Sequence, residues 1–266
     1  MTQPTKSNTN SATTTRANPK IKFVGLHAHS VAGSIFDAIG FPDAHMDFCY
    51  QNGGEALALT DHGNMNGLAG QVLHAKKMHE AGKDFKPIFG CEAYFTPSIA
   101  EWHDAYNKAM EDKKKARAIK KDAQSGATVE DEGDSKKTQG ILKRRRHLVL
   151  LAQNQTGLNN LFKLVSESYQ PENFYRYPRI DYALLKKYNE GVIASSACLG
   201  GVYAGNYWEY REDGEEAVLE AMRESTRQMV DIFGDRWYAE IQWNDIKEQH
   251  ELNQYVIQVA KEFVVR

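Results

Sequence analysis

Short apolar runs alternate with stretches of helical periodicity along most of the chain. The predicted strands are IKFVGLHAH, EALALT, PIFGCEAYF, HLVLLAQ, EGVIASSACLGG and RWYAEIQ. The predicted helices fall between these runs, at about 41–52, 65–82, 156–169, 214–233 and 246–263. This alternation is typical of parallel strands joined by crossover helices. We therefore expect one α/β domain over residues 21–266.

Two segments interrupt this alternation. Residues 1–20 are rich in Ser, Thr, Asn and Pro and have almost nothing to bury, which predicts a disordered tail. Residues 101–146 carry mixed blocks of charge, which indicates an insertion in the domain. Its first half is predicted to be an exposed helix and its middle, about 123–140, a mobile loop. The basic residues of the insertion form either a solvated face or a contact with nucleic-acid phosphates.

Composition narrows the choice of function. The chain has 266 residues, 41% of them hydrophobic, which is enough for one sizeable core. Its formal charge of −2 excludes the strong basic excess of a stand-alone duplex-binding protein, so any nucleic-acid contact must be local. No apolar run is long enough for a membrane span, and the N-terminus lacks a secretory signal, so we expect a cytoplasmic protein. The 3 cysteines are widely spaced, which favours reduced thiols.

Several metal-ligand residue types lie at or near the ends of predicted strands. His27 and His29 are two apart, so their side chains share one face of a strand and can reach one cation, although two ordinary histidines remain an alternative. Asp61 and His62 follow EALALT, at the carboxyl end where α/β folds build their sites. Glu92 lies inside an apolar strand, where a carboxylate is costly unless it meets a cation. Cys198 offers a thiolate of the kind that zinc accepts.

Two further candidates have less support from the pattern. His147 opens HLVLLAQ, at the amino end of its strand, where the strand-end rule would not select it. Asp37 lies in a loop after His29, where a capping or turn role competes with metal ligation. Competing chemistries are absent from the sequence, which has no phosphate-binding G-x-x-x-x-G-K-[ST], no G-x-S-x-G and no C-x-x-C.

The motifs GLHAHS, ALTDHGNMNG, KPIFGCEAYF, RHLVLLAQNQTGLNNLFKLVS and EGVIASSACLGG occur in this order. In that order they resemble the polymerase and histidinol phosphatase (PHP) domain at the N-terminus of bacterial replicative DNA polymerase III alpha subunits. The resemblance runs from about 22 to 263. The connector NFYRYPRIDYALLKKYNEGVIASSACLGG is closer to this polymerase branch than to free-standing phosphatases for small phosphoesters, which disfavours that third function.

The resemblance implies a distorted (β/α)7 barrel whose mouth holds up to three metal ions, zinc or manganese, with magnesium as an option. The implied ligands are His27, His29, Asp37, His62, Glu92, His147 and Cys198. The implied catalytic residues are Asp61, His62 and Glu92, with Asp61 orienting its neighbour.

Two functions from different classes follow from the resemblance. One is metal-dependent phosphoesterase chemistry, of the 3′–5′ exonuclease or pyrophosphatase type, within a polymerase III alpha subunit that acts on DNA. The other is a non-catalytic module that braces a polymerase core and docks a proofreading exonuclease.

One expected motif is missing. The family's last ligand motif, Asp-x-His, should follow AKEF, but this sequence continues only as Val264-Val265-Arg266, and the two valines suggest the start of a strand. We therefore expect a barrel that lacks its last strands. We also expect a partner, either the remainder of an alpha subunit or a complementing C-terminal piece, without which the chain is feebly active.

Overall fold

The computed structural model describes residues 23–121 and 140–266, and the side chains of that part except those of 116–121. The expected tail at 1–20 and nearly all of the expected loop at 123–140 lie outside the described residues.

The described residues form an α/β domain, as expected. The helices are α1 (Pro42–Gln51), α2 (Leu68–Glu80), α3 (Ile99–Lys121), α4 (Gln155–Ser168), α5 (Tyr182–Tyr188), α6 (Val202–Tyr210), α7 (Glu215–Phe233) and α8 (Lys247–Phe263). The strands are β1 (Ala56–Leu59), β2 (Lys86–Phe95), β3 (Arg146–Ala152), β4 (Phe174–Tyr175), β5 (Tyr177–Ile180), β6 (Val192–Ser195) and β7 (Trp237–Tyr238). Within this part of the chain, no helix is both long and apolar enough to cross a membrane.

The strands form a mixed sheet in the order β4-β5-β2-β3-β6-β7, with β1 pairing beside the first half of β2. β1 and β5 run parallel to β2, and β7 runs parallel to β6. β3 runs antiparallel to both of its neighbours, β2 and β6. The expectation of parallel strands is therefore wrong for β3.

The insertion explains the reversed direction of β3. α3 leaves the carboxyl end of β2, and Trp102 and Ala105 of this helix pack against Ile141 of the helical residues 140–143. The chain thus returns to the edge of the sheet that it left, and Arg146 pairs beside Phe95. A chain that returns to the same edge must continue antiparallel, whereas a crossover would have carried it to the opposite edge.

Two predicted strands are shorter than their apolar runs. The segment around His27 is extended without being a full strand: the amide of Ala58 donates to the Gly25 carbonyl, and the amide of Thr60 donates to the Ala28 carbonyl, both at 2.8 Å. The run RWYAEIQ keeps only two residues of strand as β7. The valine pair at 264–265 is not a strand, since Val264 has a positive φ of 54° at the end of α8.

The main core lies between the sheet and the helices that follow β3. β3 contributes Leu148 and Leu150 to this core, whereas Val149 and Leu151 lie in a smaller cluster with Ala58 and Ala197. The largest side chains opposite β3 in the main core are Tyr203, Phe233 and Trp237, and the indole Nε1–H of Trp237 donates to the Tyr203 hydroxyl at 3.1 Å. This packing fixes the strands whose ends carry the polar residues described below.

Candidate metal centre

Glu92 of β2 is the centre of a cluster of imidazoles. Its side chain is 0% exposed, yet it is an ionisable group inside an apolar strand. Its Oε2 lies 3.1 Å from His27 Nε2, 2.6 Å from His29 Nε2 and 3.1 Å from His62 Nδ1. Its Oε1 lies 2.8 Å from His147 Nδ1. Four imidazoles thus surround one buried carboxylate.

A hydrogen-bonded loop fixes the histidine pair. The chain turns after His29, and the buried carboxylate of Asp61 accepts hydrogen bonds from the Ser30 amide at 2.6 Å, the Ser30 hydroxyl at 2.8 Å and the Ser34 hydroxyl at 3.0 Å. The Ser34 hydroxyl oxygen in turn accepts from the His62 amide at 3.0 Å. Asp61 therefore has its acceptor sites occupied by this loop, and its contacts fit a positioning role rather than direct metal ligation.

The turn after β1 places His62. Gly63 adopts a φ of 66°, a conformation that favours glycine, and its amide donates to the Glu92 carbonyl at 2.8 Å. The His62 ring then lies parallel to the Tyr94 ring, with centroids 5.7 Å apart. Tyr94 is two residues beyond Glu92 on β2, so both side chains lie on one face of the strand.

Asp37 joins the cluster from the loop between His29 and α1. Its Oδ2 lies 2.6 Å from His62 Nε2 and 3.4 Å from His29 Nδ1. The Asp37 side chain is 45% exposed, so it forms the solvent side of the centre. Of the roles left open by the sequence, these contacts favour ligation over a helix cap.

His147 and Cys198 complete the set on the Oε1 side of Glu92. Because β3 is antiparallel, the amino end that carries His147 lies at the same edge as the carboxyl end of β2. Cys198 follows Ala197, whose positive φ of 59° turns the chain back toward the sheet. The Cys198 Sγ lies 3.4 Å from His147 Nδ1 and 3.8 Å from Glu92 Oε1. The structure therefore brings together all of the predicted ligands.

The charges of the cluster are strongly coupled. Burial opposes the charge of Glu92, but hydrogen bonds from His147, His27 and His29 outweigh it and hold the pKa of this carboxyl well below its usual range. Burial also opposes protonation of His27, yet hydrogen bonds to Glu240 and Glu92 raise its pKa to about 10. The pKa of His147 is raised to about 9, because its contacts with Cys198 and Glu92 outweigh burial. Glu92 is thus held as an anion.

His62 behaves differently from those two histidines. Burial lowers its pKa, and the neighbouring His29 and His147 lower it further, against the opposing charges of Glu92 and Asp37. Its Nδ1 is buried and lies 3.1 Å from Glu92 Oε2, but it makes no hydrogen bond to any residue that the structure describes. A neutral imidazole offers a nitrogen lone pair, which is the form in which histidine binds a metal ion.

The donor set fits divalent metal. Ligand atoms gather within 4.8 Å of one another in three overlapping groups, each of which shares a residue with another: His27–His29–Glu92, His29–Asp37–His62 and His62–Glu92–His147. Imidazole nitrogens together with carboxylate oxygens and a thiol suit first-row transition ions. The overlap of the groups through Glu92, His29 and His62 would allow neighbouring ions to share ligands.

Glu240 is a site residue that the sequence analysis missed. It lies just beyond β7, and its Oε1 accepts a hydrogen bond from His27 Nδ1–H at 2.7 Å. The Ser195 hydroxyl donates to its Oε2 at 2.6 Å, and Gln242 Nε2–H donates to its Oε1 at 3.0 Å. His27 outweighs burial and lowers the pKa of Glu240. An acidic residue inside the apolar run RWYAEIQ is the same signal that pointed to Glu92.

Comparison with known proteins identifies the family. A family model described as the PHP domain matches residues 25–244. The chain belongs to the PHP domain family. The matched range includes every residue of the centre, from His27 to Glu240.

The most similar relatives include several DNA polymerase III alpha subunits. The DNA polymerase III subunit alpha of Aquifex aeolicus is 35% identical over 244 residues, which cover 92% of this chain and 17% of that protein. Those of Borreliella burgdorferi and Thermus aquaticus are each 32% identical and also cover 92% of this chain. This PHP domain thus spans about 17% of the length of the curated relatives it matches.

A solved structure from Bifidobacterium adolescentis, assigned as a metal-dependent phosphoesterase, is also similar. It has a TM-score of 0.42 at 12% identity and covers 93% of this chain and 86% of its own.

Proposed function

We propose that this PHP domain is a metal-dependent phosphoesterase that works as part of a DNA polymerase III alpha-type replication protein. The observation that carries the proposal is the buried Glu92 carboxylate, which four imidazoles and a thiol approach from both of its oxygens. A buried carboxylate that bridges two sets of nitrogen ligands is an arrangement suited to two or more neighbouring ions.

Different residues of the centre have different roles in the proposed reaction. Bound divalent ions would polarise phosphoryl oxygens and lower the pKa of a water molecule that attacks in line. Glu92 is held as an anion and so can bridge ions, while His62 is neutral and can offer its nitrogen without first losing a proton. Asp37 is the exposed carboxylate of the set, and it is therefore placed where substrate enters.

The metal we propose is zinc or manganese. Imidazole nitrogen and the Cys198 thiolate favour zinc, and the carboxylates of Glu92 and Asp37 are equally suited to manganese. Magnesium prefers oxygen ligands and fits less well to a site dominated by histidines.

We also propose that the sheet curves into the distorted (β/α)7 barrel of the family. The support is the contact between His27, which lies beside β1, and Glu240, which follows β7. Gly25 bridges Leu57 of β1, and the pairings then run from β1 through β2, β3 and β6 to β7. His27 and Glu240 lie at the two ends of this series of pairings, so a 2.7 Å hydrogen bond between them supports a sheet that curls back on itself.

The proposed substrate is DNA, with 3′–5′ trimming or pyrophosphate removal as the reaction. The proposed partner is the remainder of an alpha subunit, since the relatives in which this domain is found are much longer chains.

A second function is a structural module that braces a polymerase core and docks a proofreading exonuclease. One observation favours it: the raised pKa values of His27 and His147 let these residues compensate the charge of Glu92 by protonation alone. In that case the cluster is a network of buried ion pairs and requires no metal.

Elemental analysis combined with a hydrolysis assay separates the two functions. Protein purified without chelator should contain zinc or manganese, and the double variant His27→Ala plus His29→Ala should contain less. The matched control, His45→Ala plus His250→Ala, removes two histidines outside the centre and should leave the metal content unchanged. Metal-loaded protein should hydrolyse bis(4-nitrophenyl) phosphate, and the site variant should not. Equal metal content in both double variants, with no hydrolysis by wild type, would establish the structural module instead.

A further inference from the structure

An unpaired arginine lies beside the metal centre. Residues 144–146 are three consecutive arginines. Arg144 and Arg146 both pair with Glu209, at 2.7 and 2.9 Å, and are therefore structural. Among residues 23–121 and 140–266, no carboxylate pairs with Arg145, whose side chain is exposed. A free guanidinium at this edge of the sheet has charge available for a ligand.

Aromatic rings hold Arg145 in place. Its guanidinium carbon lies 3.9 Å from the centroid of the Tyr177 ring and 5.3 Å from that of Tyr94. Tyr94 in turn contacts two rings of the centre, His62 at 5.7 Å and His147 at 5.6 Å between centroids. A guanidinium that packs on a ring face makes no hydrogen bond to the ring plane, so its N–H groups can bind a phosphate through two hydrogen bonds. The Tyr94 ring therefore separates Arg145 from the imidazoles of His62 and His147.

The neighbouring hairpin of β4 and β5 supplies more exposed rings. Phe174, Tyr175 and Tyr177 are 42%, 39% and 37% exposed, and the turn between the two strands carries Arg176. Arginines that alternate with exposed aromatic residues are typical of surfaces that track single-stranded nucleic acid, because the rings stack on bases and the cations meet the backbone.

We propose that Arg145, supported by Tyr177 and Tyr94, binds the phosphate next to the scissile phosphoester of a single-stranded nucleic-acid end. The proposal rests on the function proposed above and names a residue that binds the proposed substrate beside the metal centre. A second phosphate one ring away from the metal ligands distinguishes an oligonucleotide from a small phosphoester, which has no group to place there.

Binding without turnover is the first test. Fluorescence anisotropy with a 5′-labelled oligodeoxythymidine, in chelator, measures affinity when no hydrolysis can occur. Arg145→Ala should weaken binding by about tenfold, since a hydrogen-bonded charge is lost. The slope of log K against log salt should fall by about 0.7, as expected for one phosphate contact on a single strand.

Two variants control for structure and for charge. Arg211 also lies over an aromatic ring, that of Trp208 at 4.8 Å, but it follows the end of α6 that is remote from His147. Arg211→Ala should bind the oligonucleotide as wild type does. Arg145→Lys keeps the charge and should restore the salt slope. If Arg145→Ala folds with the wild-type melting temperature and binds with unchanged affinity and slope, the proposal is wrong.

Kinetics then separate this inference from the proposed function. In manganese, Arg145→Ala should raise KM for the oligonucleotide about tenfold more than KM for bis(4-nitrophenyl) phosphate. If wild type hydrolyses neither substrate while Arg145→Ala still weakens binding, the phosphoesterase function fails and the nucleic-acid site stands. If wild type hydrolyses both substrates and Arg145→Ala changes neither KM nor binding, the proposed phosphate site at Arg145 is wrong and the phosphoesterase function stands. An equal loss of affinity for inorganic pyrophosphate would reassign Arg145 to a diphosphate ligand and overturn the nucleic-acid assignment.

Discussion

Replacing Glu92 with glutamine removes the negative charge of the carboxylate that the imidazoles surround, while the size of the side chain is kept. Glu92 is fully buried, and His27 and His147 are protonated in its presence without metal, with pKa values of about 10 and 9. Removing one partner of a buried ion pair costs about 3–5 kcal/mol. Glu240 and Glu92 together raise the pKa of His27 to about 10, so Glu92 accounts for only part of the corresponding free energy.

The effect of this substitution should depend on pH. A histidine whose pKa is raised on folding stabilises the protein fully below its unfolded value of 6.5, and the contribution is lost as pH rises through about 9 to 10. The pKa of Glu92 is lowered on folding, so its own contribution is present above its usual value of 4.5. At pH 6 the contributions of the protonated histidines and of the ionised Glu92 are both present. In chelator, Glu92→Gln should therefore lose about 3–5 kcal/mol at pH 6 and less than about half of that at pH 10.

Urea unfolding in chelator, followed by circular dichroism at pH 6 and pH 10, measures the difference from wild type. Glu220→Gln is the matched control, because Glu220 forms exposed ion pairs with Arg223 and Arg227 and its loss should cost far less stability than Glu92→Gln. A loss for Glu92→Gln that is the same at both pH values, or no larger than that of the control, would refute the reasoning.

Two further predictions concern metal binding. Glu240→Gln keeps the hydrogen bond to Ser195 but weakens the one from His27 Nδ1–H. We expect the zinc affinity of the folded protein, measured by competition with a chromophoric chelator, to fall about 10–100-fold. The melting temperature in chelator should fall as well, because protonated His27 loses a buried partner. Unchanged affinity would show that Glu240 does not orient His27. Metal affinity should also rise from pH 6 to pH 9, because ions compete with the protons that His27 and His147 carry. Calorimetry in buffers of different ionisation enthalpy should detect proton release on binding. A pH-independent affinity would mean that neither residue is a ligand.

Local patterns predicted most of the helices and strands, because each of these is encoded by its own periodicity; the short helices α5 and α6 were not predicted. The helix expected at 156–169 is found at Gln155–Ser168, and its start follows Asn154, whose side chain accepts from the Gly157 amide. The strand expected in PIFGCEAYF is found at Lys86–Phe95. The β4–β5 hairpin was missed, because its strands have two and four residues and its turn residue, Arg176, has a positive φ that nothing in the sequence suggests.

The direction of a strand, in contrast, is not encoded locally. HLVLLAQ predicts a buried strand equally well in either direction, and the choice depends on whether the preceding insertion crosses the sheet or returns to the edge it left. The packing of Trp102 against Ile141 makes it return. For that reason the strand-end rule found His62 and Cys198 but not His147, and the family resemblance had to supply it.

The contacts of the centre join segments that are far apart in the sequence. Cys198 reaches Glu92 across 106 residues, and His27 reaches Glu240 across 213. An unfolded chain holds no preformed site of this kind, so any free energy of metal binding to the assembled residues adds to the free energy of folding. Glu92 is the point at which this coupling is strongest, because Oε2 faces ligands that precede β2 in the chain and Oε1 faces ligands that follow the insertion. Metal bound on either side of Glu92 would therefore hold the two halves of the domain against the same strand.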